Sequence, residues 1–495
     1  MNRSDIDIGR APAVDEQNDS PYRDHHGALA AIKASWHREP VLGFAGGRLH
    51  VDAKIGLARF GPASLGLKRH PAEIRVGYVG SGQSIQSAHA FVERAADGLD
   101  GDPKKAPRFP GFLPDRGFYS EIVEPDGATA TITTNEIATL KNVKSKQERF
   151  AQAVQLVSDK VRLLAQRDDA LRLIVLAIPN ELLTLVKTVD YTDDVSGRVH
   201  RDFRRALKAE VMRHKIPTQI MLQRVSEAAA DSKKVDPPHR IAWNLLTSMF
   251  FKGGGIPWKP VGLRPDTCYV GISFHRPMGT TDTTLRSSVA QAFDESGTGL
   301  ILRGPDFQWD RRKDGPSPHL SADQAKALLD LVLKRYKDEA GHLPMRVVVH
   351  KTSRFWDAER DGFQAALSAI KEFDLVAVTP TSEIRLIRAG EYPPLRGTLF
   401  SIGDLSYLYT TGYIPAIKAY PHGHVPAPLQ IADRHGDSSL DAIVDEILVL
   451  TKMNWNSTTF AGALPITIRF SRQVGNIMRE IPQGRDPMPQ FAFYT

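Results

Sequence analysis

A single cysteine, Cys268, stands among 495 residues. One thiol can make no internal disulfide and cannot build a cysteine-based zinc site, so the chain reads as suited to a reducing, cytoplasmic compartment. Long apolar runs are missing too. No stretch approaches the roughly 20 residues a membrane helix needs, and the opening MNRSDIDIGRAPAVDEQND is polar where a secretory signal would be apolar. No membrane partner is expected. Internal repeats and low-complexity tracts are lacking. So is the lysine of a phosphate loop: Gly77 to Ser84 has the glycine spacing and closing serine, but Gln83 stands in the lysine's place. Without that cation the loop loses its main grip on outer phosphates. It reads instead as a tight turn opening an α/β unit.

Positive charge is what the chain does have. Lysine and arginine number 64 against 57 acidic residues, a net charge of +7, and the pI is near 9.2. That balance favours an anionic partner. The length suits two or three domains.

The pattern along the chain is α/β. Residues 1–39 read as a flexible N-terminal tail, polar and rich in Asp, Arg and Pro at its start. Residues 40–66 are strand-like with glycine punctuation. A strand, turn and helix follow from 74 to 97, then a helix over 147–166. LRLIVLAIP (171–179) is an almost continuous apolar strand, as expected when both sheet faces are covered. A helix from about 240 ends at Lys252-Gly253-Gly254-Gly255. The second half begins near Pro257–Pro265 with CYVGISFHR. Two further strands follow, then a helix capped by Ser321 with Gln324, the strand MRVVVHKT, a helix over 356–370, and FDLVAVTPT. IRLIRAG and LFSIG read as hairpin or edge strands, and a long amphipathic helix covers 438–454. Asp24-His25-His26, His422-Gly423-His424 and Arg434-His435 hint at metal, but no further ligands complete a site.

The densest signal is RDFRRALKAEVMRHKIPTQ, residues 201–219. Helical spacing lines up Arg201, Arg204 and Lys208, with Arg205 at the edge, over a buried stripe of Phe203, Leu207 and Val211. The turn at Ile216-Pro217 leads into a strand opening with Thr218-Gln219. Fixed cations beside an amide are what a terminal phosphate needs. The same residues also fit a solvated basic face.

That stretch, together with WNLLTSMFFKGGGIPW, VVVHKTSRFW and LTKMNWNSTTFAGALPITIRFSRQVG in this order, resembles a short prokaryotic Argonaute. The resemblance runs from about Pro40 to the C-terminus. It implies a Rossmann-like MID domain over 40–258, with lead-in strands, followed by an RNase H-like PIWI domain over 259–495. In that family the MID domain holds the guide's 5′ phosphate. The matching positions here are Arg204, Lys208, Gln219 and Lys252, with His200 or Arg201 as alternatives for the first. The family also uses its C-terminal carboxylate there, through a divalent ion such as Mg²⁺; here that residue would be Thr495.

In the PIWI domain the family's catalytic carboxylates fall on Ser273, Thr352 and Ser471. Hydroxyls are weak, neutral ligands and do not replace charged ones against two metal ions. The resemblance therefore implies no target cleavage and no catalytic residue. Arg276, Lys351, Arg354, Arg469 and Arg472 match positions that touch guide and target backbones. It further implies a 5′-phosphorylated guide RNA, a complementary single-stranded DNA target, and a separate APAZ-domain effector (sirtuin-like, TIR or nuclease). Target recognition would release that effector to abort infection, with oligomerisation on target binding possible. Two other readings stay open. One is a nuclease with a non-standard site on Asp294, Glu295 and Asp306. The other is a nucleic-acid-binding module indifferent to guides.

Overall fold

The computed structural model describes residues 32–495 except 102–106, 169, 196, 228–234, 282, 293–298, 316, 422–423 and 483–484. Asp24-His25-His26, Asp294, Glu295, His422 and Gly423 thus lie outside the described residues.

The first half is a parallel sheet between helices. Its strand order is Thr218–Leu222, Leu173–Ile178, Glu73–Gly80, Glu121–Val123, with Thr129–Thr131 also alongside Glu73–Gly80. All six side chains of Leu173–Ile178 are buried. Alternate residues serve opposite faces, as the pleat requires. Leu173, Val175 and Ala177 join the core with helices Gly82–Ala96 and Pro238–Lys252. Ile174, Leu176 and Ile178 face helices Lys146–Arg167 and Phe203–Val211. The lysine-less glycine loop is a structural turn, as expected. Ser81 caps the helix, the Ser84 hydroxyl donates to Ala177 O at 2.7 Å, and Gln83 donates to Glu227. Gly80 is required there, since a Cβ would sit 2.3 Å from Ala177 O.

The second half is a nine-stranded mixed sheet of RNase H-like architecture. Three parallel strands, Thr267–His275, Arg346–Lys351 and Glu372–Pro380, form its centre. Thr284–Ala292 and Leu300–Gln308 extend it antiparallel on one side. Helices Ala322–Ala340 and Asp357–Ala366 pack on one face against Cys268, Val270 and Ile272. Helices Leu440–Leu450 and Ile466–Met478 cover the other.

Three sequence expectations need correction. The tail does not run to residue 39: Ile32–Trp36 is an edge strand, antiparallel to Thr398–Ile402. Glu39 is also ordered, its carboxylate bound by Arg396 and Lys452, each at 2.8 Å. Residues 40–66 are not a strand region throughout. Only Leu42–Gly43 and Leu49–His50 pair, and Ala53–Phe60 is a helix. Asp52 caps that helix, and the apolar spacing Ala53, Leu57, Phe60 is helical rather than alternating. Residues 384–390 form no strand; Ile387 is 96% exposed.

The two halves share one core. Leu42–Gly43 pairs with Lys259–Pro260 across the expected boundary. Trp258, 1% exposed, donates its indole N–H to Lys452 O.

Candidate nucleic-acid interface

Helix Phe203–Val211 is short and firmly started. Asp202 at its N-cap accepts from the Arg204 and Arg205 amides, while Phe203, Leu207 and Val211 anchor it in the core. Lys208 lies on its inner side, 7% exposed. The chain then reverses through Lys215, in a left-handed conformation (φ 59°), and enters strand Thr218–Leu222. This reversal brings the Lys208 ammonium to Thr218 O at 2.5 Å. The same Nζ donates to Thr495 O, also at 2.5 Å. The terminal segment is held from the side, since Gln473 Nε2 donates to Tyr494 O.

Lys252, 5% exposed, is the last residue of helix Pro238–Lys252. Its ammonium donates to Gln219 Oε1 at 2.5 Å. Ser248, one turn earlier, donates to the same oxygen at 3.2 Å and to Asn456 Oδ1 at 2.9 Å. Lys208, Gln219, Lys252 and Thr495 therefore converge from four separate elements. A cavity of about 270 Å³ opens beside them, lined by Gln219, Asn244, Ser248, Asn456, Gln473 and Thr495 over Ile241 and Leu245, with Asp236, paired with Arg240, also on its wall. Asn456 Nδ2 is buried there without a hydrogen-bond partner.

Electrostatically this pocket is incomplete. Burial pulls Lys208 down to about 7, and a hydrogen bond from Lys252 offsets part of that effect. Burial, and then the Lys208 charge, hold Lys252 well below the lysine range. Among the described residues no Asp or Glu side chain bonds either group; Lys208 donates instead to Thr218 O and to the terminal Thr495 oxygen. Two buried amines this close do not readily carry charge together unless an anion joins them. A phosphate supplies both the charge and the acceptors.

The other expected phosphate ligands lie elsewhere. Arg201 is not on the helix face, because the chain is still in strand Gly197–Asp202 at that point. Its guanidinium bonds Glu480 at 2.7 Å and lies over the Phe150 ring. His200 is exposed and pairs with Asp190. Arg204 is on the helix, exposed, with its Nε 4.0 Å from Asp202. Sequence reasoning missed Ser248, Asn456 and Gln473. Ser248 had a usable signal, being four residues before Lys252 on the same helix face.

In the second half, Ser273 lies on one of two adjacent parallel strands and Thr352 just past the end of the other, and Ser471 lies on the helix packed against them. Gly271 is in register with His350, so Ser273 and Thr352 stand level at the ends of adjacent parallel strands. Both strands meet the start of helix Ile466–Met478 there. A Cβ on Gly271 would strike Thr467 O, and the His350 imidazole bonds the Thr467 hydroxyl at 2.8 Å. Ser471 is one turn further along that helix, fully buried, donating to Ile468 O. No cluster of three His, Cys, Asp or Glu side chains able to hold a metal occurs among the described residues. Asp306 is bound by both arms of Arg286.

The five expected backbone cations divide. Lys351 is a correction: it is 1% exposed, and its ammonium is bound to Glu359 inside the core. Its strand alternation turns it away from the helix that carries Ser471, which His350 faces instead. Arg354 and Arg472 are exposed, and Arg469 is half-buried. Arg276 is exposed and lines a small cleft with Arg198, His200 and Arg479, at the junction of the two halves.

No helix among the described residues is long and apolar enough to cross a membrane. No family model and no curated protein matches the chain. Solved structures do. Clostridium butyricum Argonaute bound to a guide DNA and a 19-mer target DNA aligns over 92% of this chain and 54% of its own, with a TM-score of 0.62 and 16% identity. Aa-Ago with externally bound siRNA aligns over 92% of this chain and 55% of its own, with a TM-score of 0.55 and 14% identity. A. aeolicus Argonaute aligns over 94% and 55%, at 0.54 and 15%. The chain spans about half the length of these structures. Its fold is Argonaute-like.

Proposed function

We propose that this chain binds a 5′-phosphorylated guide strand and uses it to recognise a complementary strand, without cutting it. The observation that carries the reading is the pocket of Lys208, Gln219, Lys252 and Thr495, with two buried lysine side chains facing each other and no Asp or Glu carboxylate bonded to either. The guide's terminal phosphate is the missing anion. The neighbouring cavity, with its amide and hydroxyl lining, accommodates the first nucleoside. Exposed cations in the second half, among them Arg472 and Arg354, contact backbone phosphates without reading sequence. Base pairing supplies the specificity, as in another RNA-guided system.

The proposed absence of cleavage rests on Ser273, Thr352 and Ser471, where the family resemblance puts the metal-binding positions. They offer no charge to a metal pair. Purified protein given a 5′-phosphorylated guide and Mg²⁺ or Mn²⁺ is expected to leave a complementary strand intact; a specific cut would contradict this. A resident Mg²⁺ at Thr495 does not fit the pocket as it stands. The oxygens of Thr495 and Gln219 already accept from ammonium groups, so no step is assigned to a metal.

The finer reading follows the family resemblance: an RNA guide, a single-stranded DNA target, cytoplasmic action, and an APAZ-domain effector as the active partner, NAD-degrading or nucleolytic. The test is to express the chain with its neighbouring gene, purify the complex and label the co-purifying nucleic acid with and without phosphatase. Short 5′-phosphorylated RNA of narrow length, lost in a Lys208→Ala/Gln219→Ala variant, is the expected result. Heterogeneous nucleic acid unchanged in that variant would reduce the pocket to a structural feature.

A further inference from the structure

Beyond Thr352 the chain leaves the central strand through Ser353-Arg354-Phe355-Trp356 and enters helix Asp357–Ala366. Trp356 is 48% exposed, the most exposed of the six tryptophans. It is nevertheless held in place. Its ring stacks on His319 with centroids 4.0 Å apart and planes 16° from parallel. Trp309 packs against both, 5.6 Å from Trp356 and 5.7 Å from His319. Glu359, fully buried, fixes the assembly from behind. Its carboxylate accepts from the Trp356 amide at 3.2 Å, from the Leu320 amide at 2.8 Å and from the Lys351 ammonium, and it bonds His319 Nδ1 at 2.9 Å. One buried carboxylate thus orients an exposed aromatic surface.

Cations frame that surface. Trp309 leads into Arg311, Arg312 and Lys313, all exposed, and Arg354 is exposed on the Trp356 side. None of the four shows an ion pair among the described residues, whereas nearby Asp357 pairs with Arg360 and Asp310 caps its own turn. Aromatic rings interleaved with cations bind single strands: each base has a π face to stack, and the cations hold the phosphates on either side. A ring already ordered on a second ring loses little freedom when a base stacks on it.

We infer that Trp356 is a stacking platform for an unpaired nucleobase, with Arg354 and Arg311 to Lys313 holding the adjoining phosphates. This rests on the nucleic-acid reading above and adds a contact site to it. The platform lies four residues beyond Thr352 along the chain.

The test uses the full chain and 5′-phosphorylated single-stranded oligonucleotides carrying a fluorescent purine analogue at successive positions. Quenching confined to one or a few neighbouring positions is expected. It should vanish in Trp356→Ala and persist in Trp356→Phe. Affinity should fall about 5- to 100-fold in the alanine variant, with the preference for a 5′ phosphate over a 5′ hydroxyl unchanged. If the oligonucleotides bind with that preference but no position is quenched through Trp356, the platform is refuted and the phosphate pocket stands. If no oligonucleotide binds at all, the nucleic-acid reading itself fails and the platform falls with it.

Discussion

Four buried lysines divide into two pairs. Lys351 and Lys452 each meet a carboxylate, Glu359 and Glu39 respectively. Lys208 and Lys252 meet no acidic side chain; they meet each other, the Gln219 amide oxygen, Thr218 O and the terminal oxygen of Thr495. All four are 7% exposed or less. The difference separates structure from function better than charge or burial alone. A buried cation with its own anion is a finished part of the fold. Two buried lysines that share no acidic side chain keep their charge less easily, and under the proposed function an added phosphate would restore it.

The comparison is broken most forcefully at Lys351. Removing it strands Glu359 in the core, so Lys351→Ala is expected to lower stability by about 3–5 kcal/mol in denaturant unfolding. A loss under 1 kcal/mol would mean that the pair is not the finished unit described here. Lys208→Ala should act differently. It removes a buried amine whose charged form is disfavoured by burial and which pairs with no acidic side chain, so the melting temperature of the unliganded protein should change far less than in Lys351→Ala. Affinity for 5′-phosphorylated strands should drop by about 1.5–3 kcal/mol, roughly 10- to 150-fold.

A smaller effect comes from pH. Lys208 releases its proton near 7 in the unliganded fold, against 10.5 for an ordinary lysine. Between those values the folded protein binds fewer protons than the unfolded chain, so this group makes stability rise with pH over that window. Phosphate needs the ammonium form, so binding above pH 7 takes up a proton. The phosphate-dependent part of the affinity should therefore weaken as pH climbs past 7, by up to about tenfold per unit for one proton. Titrations at several pH values, with a 5′-hydroxyl strand as reference, check the sign. Smallest is Arg472→Ala, where an exposed cation is lost. Affinity should fall almost equally for all sequences, and the salt dependence should flatten by about 0.7 for the one phosphate contact removed.

The sequence carried the sheet-and-helix order well because the strands are buried on both faces. LRLIVLAIP announces itself by nearly continuous apolar content, and MRVVVHKT by its Val347-Val348-Val349 run. Lys208, Gln219 and Lys252 were legible because two of the links are local: a helix of known period and a short reversal before the strand. Arg201 was misplaced for a local reason as well. Asp202 is the helix N-cap, so the residue before it belongs to a hairpin whose partner strand, Thr188–Asp193, carries no strong apolar signal. The true state of Lys351 was hidden by distance. Its fate depends on Glu359, across a turn and into the next helix, and on which sheet face the side chain takes. Glu39 was read as tail because its partners, Arg396 and Lys452, are hundreds of positions away. Long-range ion pairs leave no periodic trace.

The central claim is that the Lys208–Lys252 pocket is completed by a terminal phosphate. The most direct measurement is the affinity of the full chain for two strands of one sequence, one with a 5′ phosphate and one with a 5′ hydroxyl, in the native protein and in Lys208→Ala. The account predicts at least tenfold preference for the phosphate in the native protein, abolished in the variant, with both proteins equally folded. Equal binding of the two strands by the native protein would contradict it.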